Sequence, residues 1–279
     1  MHDKYPHLFS PIRIGGLVLK NRIEASPIAI PNDSPEFASM ENMISYELRA
    51  RSGAGLVVHE EMAVSKLADD GSGPTFADTA LALQDIMKES EAVHRYGAIS
   101  SVSLTHHGGW NTLSVAPDGK LYAPSAFKNP YGIMTTEMTE DIMFELIEAY
   151  ARAAEMAQYG GHDMVQIHGA HGWLLSQFMS PLYNHRTDKY GGSLENRARF
   201  PLMIVDAIRK RCPKLPIEYR FSANDFMEGG FGPEEGVEFA KMLDGKVDLI
   251  HITSSSFFDP TCGKLFPSMF TERGVNIPL

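Results

Sequence analysis

The sequence contains little cysteine: Cys212 and Cys262 are the two among 279 residues. Two cysteines exclude the multi-bridge disulfide framework of small secreted proteins, and their spacing lacks the clustering that a 4Fe-4S centre requires. The low cysteine content therefore indicates a reducing, intracellular setting, and we expect a cytoplasmic protein.

Long apolar stretches are also absent. No run approaches the ~20 residues that a bilayer-spanning helix requires. The first residues, MHDKYPHLF, lack the apolar core of a signal peptide. Neither a membrane partner nor export is therefore expected.

Positive charge is scarce, with 25 Lys and Arg against 35 Asp and Glu and a formal net charge of −10. Nucleic-acid binding needs basic patches, so no nucleic-acid partner is expected. The sequence also has no GxGxxG dinucleotide fingerprint. These absences are compatible with a small-molecule substrate, and they leave open whether the chain forms a homo-oligomer.

Short apolar strands alternate with helical segments along the whole chain. This alternation is typical of parallel βαβ units, and the length suits one (β/α)₈ barrel. About six of the eight units fit, so we expect an α/β TIM barrel, a single domain over residues 1–279 that is incomplete at its C-terminus. The predicted strands are 21–26, 55–59, 99–104, 163–167, 217–221 and 247–252, preceded by a hairpin over 11–20 that would cover the N-terminal end of the barrel.

Candidate chemistry is concentrated between Asp163 and Arg199. The fourth predicted strand lies there, and it is followed by His168, His171 and Trp173 and then by a polar loop. Imidazoles just beyond the end of a barrel strand are typical of an active site. On spacing alone, a pair of loop histidines without a task and a metal site remain alternatives.

The run QFMSPLYNHRTDKYGGSLENRARF, residues 177–200, closely resembles the Old Yellow Enzyme family of FMN-dependent ene-reductases. It is most similar to the branch of 2,4-dienoyl-CoA and 2-enoate reductases, and the opening residues 5–23 share the resemblance. The resemblance implies FMN at the C-terminal mouth of the barrel and NADH or NADPH as electron donor. It also implies reduction of an activated C=C bond in an enoate, enone or dienoyl thioester. A 4Fe-4S cluster and an FAD domain, which that branch carries, are expected only beyond residue 279.

The resemblance also assigns roles to individual residues. It makes His168 and His171 the pair that binds the substrate oxygen, and Arg220, on the fifth strand, a contact to flavin N1 and O2. Trp173 stands where relatives commonly carry a tyrosine proton donor, and an indole has no usable acidity near neutral pH. We therefore expect Trp173 to form a wall of the catalytic pocket. Further flavin contacts are expected from Ser26, Pro27, Ile28, Glu60 and Ser103.

Several of these assignments have alternatives. The resemblance does not decide whether Glu60 or Glu61 faces the flavin, and Ser103 replaces a frequent glutamine. Arg220 has a structural alternative as the partner of a carboxylate such as Glu60 or Asp163. His106 and His107 are either surface residues or direct participants, and His251 is either a core residue or a pocket residue. A structural ion-pair network is expected from Arg186, Asp188, Arg197 and Arg199.

Three other functions remain open from the sequence. The first is amine dehydrogenation, as in the trimethylamine dehydrogenase relatives. The second is a metal-dependent hydrolase that uses His106, His168 and His171, although the chain lacks the HxH pair of many such barrels. The third is a catalytically silent fragment, because loops after the seventh and eighth strands usually grip the cofactor phosphate in these barrels.

Overall fold

A computed structural model describes residues 4–28, 40–65, 80–111, 118–253 and 267–279. Its six-stranded main sheet is parallel, and its strands follow one another in chain order, β3-β4-β5-β8-β9-β10, as in the wall of a barrel. The predicted barrel with six of eight units is confirmed. The strands of the described residues are β1 (Ile12–Ile14), β2 (Leu17–Leu19), β3 (Glu24–Ala25), β4 (Leu56–Ala63), β5 (Ile99–Thr105), β6 (Tyr122–Ala123), β7 (Thr136–Glu137), β8 (Met164–Gly169), β9 (Ile217–Ser222) and β10 (Leu249–Thr253).

The predicted hairpin is confirmed as β1 and β2, which pair antiparallel around Gly15. Gly15 has φ +54°, and a Cβ there would lie 2.8 Å from the Asp248 carboxylate, so a side chain would be both strained and crowded. Ile14 and Leu19 pack on residues at the starts of the barrel strands, including Leu56 and Leu249. The hairpin therefore covers the N-terminal end of the sheet, opposite the end where catalytic residues were expected.

The helices lie between the strands as the alternation predicted. Thr139 and Ser193 cap two of them, because their hydroxyls accept from the backbone N–H of Ile142 and Asn196. The short helix α4 was not predicted, since its apolar residues stand within a polar stretch. The helices are α1 (Met40–Arg51), α2 (Ala80–His94), α3 (Glu140–Tyr159), α4 (Leu174–Met179), α5 (Leu194–Arg211), α6 (Pro233–Met242) and α7 (Pro267–Glu272).

The sheet is open between β3 and β10. A cavity of about 340 Å³ lies there, lined by residues of both edges, including Ile23, Glu24 and Ile252. At the β10 edge the backbone N–H of Ile250 donates to the carbonyl of Pro278 at 2.9 Å, so residues 276–279 run beside β10. Of the described helices, none is both long and apolar enough to cross a membrane. Cys212 is buried, whereas Cys262 lies outside the described residues.

Candidate active site

His168, Arg220 and His251 lie side by side at the C-terminal ends of β8, β9 and β10. His168 and Arg220 are register partners on adjacent strands, and Arg220 is in turn the partner of His251. Two residues earlier, Gln166 and Glu218 form a second pair. Residues two apart on a strand share a face, so both pairs face the same side of the sheet.

A β-bulge in β4 separates the two neighbouring glutamates. The register with β5 shifts between His59 and Glu61, which leaves Glu60 as the extra residue. The Glu60 carboxylate accepts from the Asn42 amide of α1, and the Glu60 backbone N–H donates to the Tyr46 hydroxyl. The Glu60 side chain therefore lies on the helix side of the sheet, whereas the Glu61 side chain lies at the barrel mouth. Whether the Glu60 backbone contacts the flavin stays a prediction.

The Glu61 carboxylate is surrounded by three nitrogen donors. Its Oε1 accepts from Trp173 Nε1 at 3.0 Å, and its Oε2 lies 3.0 Å from His107 Nε2. His168 Nε2 lies 3.1 Å from Oε1, within ion-pair distance but without the direction of a hydrogen bond. Burial works to raise the pKa of Glu61, but the electrostatic interaction with the nearby His168 ring and the hydrogen bond from His107 outweigh it and hold the pKa well below its usual range. Glu61 is therefore ionised at neutral pH.

The two predicted histidines are close together, with ring centroids 5.0 Å apart. His171 has a left-handed backbone, φ 58°, and its backbone N–H donates to the Ser222 hydroxyl at 3.0 Å. Its Nε2 lies 3.3 Å from the hydroxyl of Thr253. Burial, with His168 and Arg220 nearby, lowers the pKa of His171 to about 3, and burial also lowers the pKa of His168. Both rings are therefore neutral near pH 7 and keep one N–H donor each.

The ring of Trp173 packs edge-on against His107 with centroids 4.4 Å apart, and its expected role as a wall of the catalytic pocket stays a prediction. The buried side chain of Gln177 holds the two loops that carry these rings. Its Oε1 accepts from Gly109 N–H at 3.0 Å, and its Nε2 donates to the carbonyls of His107 at 3.2 Å and Gly172 at 2.7 Å. A single amide thus joins the loop after β5 to the loop after β8.

Buried donors at the mouth match the acceptor atoms of a flavin. Arg220 Nε has no hydrogen-bond partner among the described residues, and Gln166 Nε2 has none with good geometry, although the Glu218 carboxylate on the next strand is close to it. The Ser103 hydroxyl donates to Gln166 Oε1 at 3.1 Å, so the amide is oriented with its N–H groups away from β5. Unpaired buried donors are costly and call for a ligand or water. The N1 and O2 acceptors of a flavin pyrimidine ring meet that need, so the residues present fit FMN.

Arg220 is not paired with Glu60 or Asp163, the carboxylates that were its structural alternative. Asp163 accepts from His94 at 2.7 Å and from the backbone N–H of Ser100 at 2.8 Å, and Glu60 contacts Asn42. Within the described ranges, no ion pair includes Arg220. A guanidinium that is half-buried without a carboxylate partner favours an anionic ligand or an electron-rich ring.

The remaining predicted flavin contacts follow β3 at the same end of the sheet. Ser26 and Pro27 are half-buried, and Ile28 is exposed. The carbonyl of Ser26 accepts from Arg49 Nη1 at 3.4 Å, and its hydroxyl donates to Glu24 at 3.4 Å. Their flavin contacts stay predictions.

The histidines of the hydrolase alternative do not form a metal centre. His106 and His107 are buried rather than on the surface, and His106 Nδ1 accepts from Gly108 N–H at 3.0 Å. In the described part of the chain, two groups have their ligand atoms close enough to share an ion, and neither contains His106, His168 or His171. These groups are His59 with Glu89 and His162, and Glu24 with Glu218 and His251.

The predicted ion-pair network supports the loop before α5. Arg186 binds Asp188 at 2.6 Å and donates to the carbonyls of Pro124 and Met138. Arg197 pairs with Glu235, and Arg199 donates to the carbonyl of Lys189. These arginines therefore have structural partners, as expected.

Gln166 was not singled out from the sequence, whereas Glu61 and His107 were left there as open alternatives. A signal existed for Gln166, since polar Gln166 and His168 alternate within the otherwise apolar strand MVQIHG. For Glu61 the decisive feature was the bulge, which no residue pattern in VVHEE reveals. His107 is assigned to the site because it contacts Glu61, and that contact is defined only in the folded chain.

A family profile described as the NADH:flavin oxidoreductase / NADH oxidase family matches residues 7–261. Among curated proteins, an NADH oxidase of Thermoanaerobacter brockii is 37% identical over 284 residues, covering 99% of this chain and 43% of that protein. An NADPH dehydrogenase of Geobacillus sp. is 35% identical, covering 89% of this chain and 73% of the relative. The chain thus spans less than half of the first relative and about three quarters of the second.

Solved structures give the same result for the fold. A 2-naphthoyl-CoA reductase complex superposes with a TM-score of 0.87 at 27% identity, covering 98% of this chain and 46% of that one. An old yellow enzyme homologue from Zymomonas mobilis superposes with a TM-score of 0.85 at 27% identity, covering 98% and 81%.

Proposed function

This chain belongs to the NADH:flavin oxidoreductase / NADH oxidase family, which is the Old Yellow Enzyme family, and we propose that residues 1–279 form the FMN-binding barrel domain of an NAD(P)H-dependent oxidoreductase of ene-reductase type. Its substrate would be a small molecule with an activated C=C bond. A relative named cinnamate reductase, from Clostridium sporogenes and 31% identical, supports this reaction type. Any iron–sulfur or FAD module would belong to sequence outside these 279 residues.

The observation that carries the proposal is the pair of buried donors that lack a hydrogen bond of good geometry among the described residues, Arg220 Nε and Gln166 Nε2. They lie on neighbouring strands at the catalytic end of the barrel. Arg220 would place a fixed positive charge beside the flavin N1 and O2, and Gln166 would donate to the same edge of the ring. FMN, when bound, supplies the hydride that the reaction needs.

His168 and His171 would bind the substrate oxygen. Both are neutral, so each offers an N–H donor without a full charge, and both lie beside Arg220 at the mouth. Donors fixed in place before the reaction stabilise negative charge as it develops on a carbonyl oxygen. Trp173 has no acidic proton, and Glu61 is ionised, so we propose that water supplies the proton to the substrate carbon.

The test is the flavin content and redox behaviour of the purified chain. We expect a yellow protein from which acid releases FMN in a ratio near one to one. NADH or NADPH under anaerobic conditions should bleach it, and 2-cyclohexenone should then restore the colour. A colourless protein that takes up no added FMN would refute the proposal, and so would a bound flavin that neither nucleotide reduces.

Amine oxidation is the second candidate, and the ionised Glu61 carboxylate favours it because an anion at the mouth suits a cationic substrate. The same anaerobic preparation separates the two functions. Bleaching by an amine such as histamine or trimethylamine, without a nicotinamide nucleotide, would favour oxidation.

A further inference from the structure

Glu61 brings a negative charge to the place where the substrate oxygen is expected. Its Oε1 lies 3.1 Å from Nε2 of His168, one of the two histidines proposed to bind the substrate oxygen. The same oxygen accepts from Trp173 Nε1, and the other carboxylate oxygen, Oε2, contacts His107 Nε2. The donors on this side of the pocket therefore already face a carboxylate that belongs to the protein.

The position of Glu61 is fixed rather than incidental. The bulge directs it to the mouth, and Gln177 holds the loops that carry His107 and Trp173 around it. Its side chain is 27% exposed, so a ligand in the pocket would meet it directly. The positive charge of Arg220 lies near the mouth as well, but there it faces the predicted flavin edge.

We propose that Glu61 is a specificity-determining residue that selects an uncharged activated alkene, such as an enone, an amide or a thioester, and rejects the corresponding free acid. The inference rests on the proposed function and narrows its substrate class. A carboxylate or phenolate in this pocket would lie within a few ångströms of another anion in a partly buried site. Like charges placed together in such surroundings weaken binding strongly. An amide or thioester carbonyl has no net charge, and an amide N–H can in addition donate to Glu61.

Cinnamate and cinnamamide are the matched probes, because they have nearly the same shape and differ in one negative charge and the N–H donors. Isothermal titration of each into the oxidised full chain, without a reductant, measures binding alone. We expect the wild-type protein to bind cinnamamide at least about tenfold more tightly than cinnamate, which is the scale of a like-charge contact. Glu61→Gln should abolish or reverse that preference, mainly by strengthening cinnamate binding.

Glu145→Gln is the control, since Glu145 is exposed on α3 and its substitution changes the net charge by the same amount. It should leave the preference unchanged. Glu61→Ala, which removes both the charge and the hydrogen bonds, provides a second variant if Glu61→Gln does not fold. Wild-type protein that binds cinnamate as tightly as cinnamamide, or binds neither, would overturn the inference. A ratio unchanged in both Glu61 variants would do the same.

The flavin content of each preparation separates this inference from the proposed function. A protein without flavin refutes the proposed function, yet the ratio of the two affinities and its change on Glu61→Gln are still measured on it. A flavin-loaded protein whose affinity ratio does not depend on Glu61 refutes the inference and leaves the proposed function intact.

Discussion

The indole Nε1 of Trp173 donates a hydrogen bond to Glu61 Oε1 at 3.0 Å, across 112 positions of sequence. Trp173 follows β8 and Glu61 lies in β4, so the bond joins two parts of the barrel mouth. Its acceptor is a charged group, and hydrogen bonds to charged groups are stronger than neutral ones. Trp173 therefore anchors the Glu61 carboxylate, in addition to its predicted role as a wall of the pocket.

Trp173→Phe should lower the free energy of unfolding by about 1.5–3 kcal/mol, because it removes the donor to a charged acceptor but keeps an aromatic ring against His107. Urea unfolding measures the change. The second tryptophan of the chain is a matched control, since Trp110 Nε1 is buried with no hydrogen-bond partner in the described residues. Trp110→Phe should lower the free energy of unfolding by less. Equal losses in the two variants would contradict a stabilising role of the hydrogen bond from Trp173 to Glu61.

Trp173→Tyr should speed the reoxidation of the reduced protein by cyclohexenone by about 10²-fold, the scale of a positioned general acid. The phenol supplies a proton donor that the indole lacks, so the solvent deuterium isotope effect should change as well. Single-turnover absorbance of the flavin measures both quantities. Trp173→Phe serves as control, since it removes the indole without adding an acid. If the Tyr variant reacts no faster than the Phe variant, proton delivery does not pass through this position.

Arg220→Lys should weaken FMN binding by about 1.5–3 kcal/mol and lower the flavin potential, although the positive charge is kept. Lysine lacks the planar donor fork and the Nε–H group that is unpaired in the structure. Flavin retention on gel filtration and a redox titration measure the two effects. Arg211→Lys, which changes an exposed ion-pair residue on α5, should alter neither. Full retention and an unshifted potential in Arg220→Lys would show that the flavin edge lies elsewhere.

Gln177→Leu should destabilise the chain by about 1–3 kcal/mol, because it leaves the Gly109 N–H and the carbonyls of His107 and Gly172 without their buried partner. It should also loosen the loops that carry His107 and Trp173, and so weaken ligand binding. Denaturant unfolding and ligand titration test the two consequences. Gln158→Leu, at an exposed position of α3, should change stability little. An equal loss in both variants would exclude the joining role of Gln177.

His251 should make stability fall as the pH rises towards about 9. Its Nδ1 lies 3.0 Å from Glu24 and 3.2 Å from Glu218. Burial works to lower the pKa of His251, but hydrogen bonds and charge from these two carboxylates outweigh it and raise the pKa from 6.5 to about 9, even though Arg220 is on the next strand. The folded state thus holds this proton more tightly than the unfolded chain. Its contribution is complete below about pH 6.5 and is lost as the pH rises through about 9.

Measurements of the unfolding free energy between pH 7.5 and 9.5 test this fall in stability, because that range includes the pKa of about 9. The window lies above the pKa of Glu218, which burial and Glu24 raise to about 7. His251→Gln should flatten the curve in this range, whereas His185→Gln, at an exposed loop position, should leave it unchanged. An equally steep curve without His251 would assign the slope to another group.

The sequence by itself determined the strand–helix alternation, the hairpin over β1 and β2 and the family. These features depend on local periodicity and on a long specific run of residues, both of which are contained in neighbouring positions. It also predicted that His168 and Arg220 lie towards the C-terminal ends of their strands, where barrel enzymes carry their active sites.

Only the tertiary structure decided which of two adjacent glutamates enters the mouth. Glu60 and Glu61 are chemically identical and, as neighbours on a strand, point to opposite faces of the sheet. The one-residue bulge shifts the register so that Glu61 is the one at the mouth. It also brought Glu61, His107, His168 and Trp173 together, from three strands and their loops. Such contacts depend on register and loop geometry rather than on residue spacing, and for that reason the partners of the Glu61 carboxylate were not predicted from the sequence.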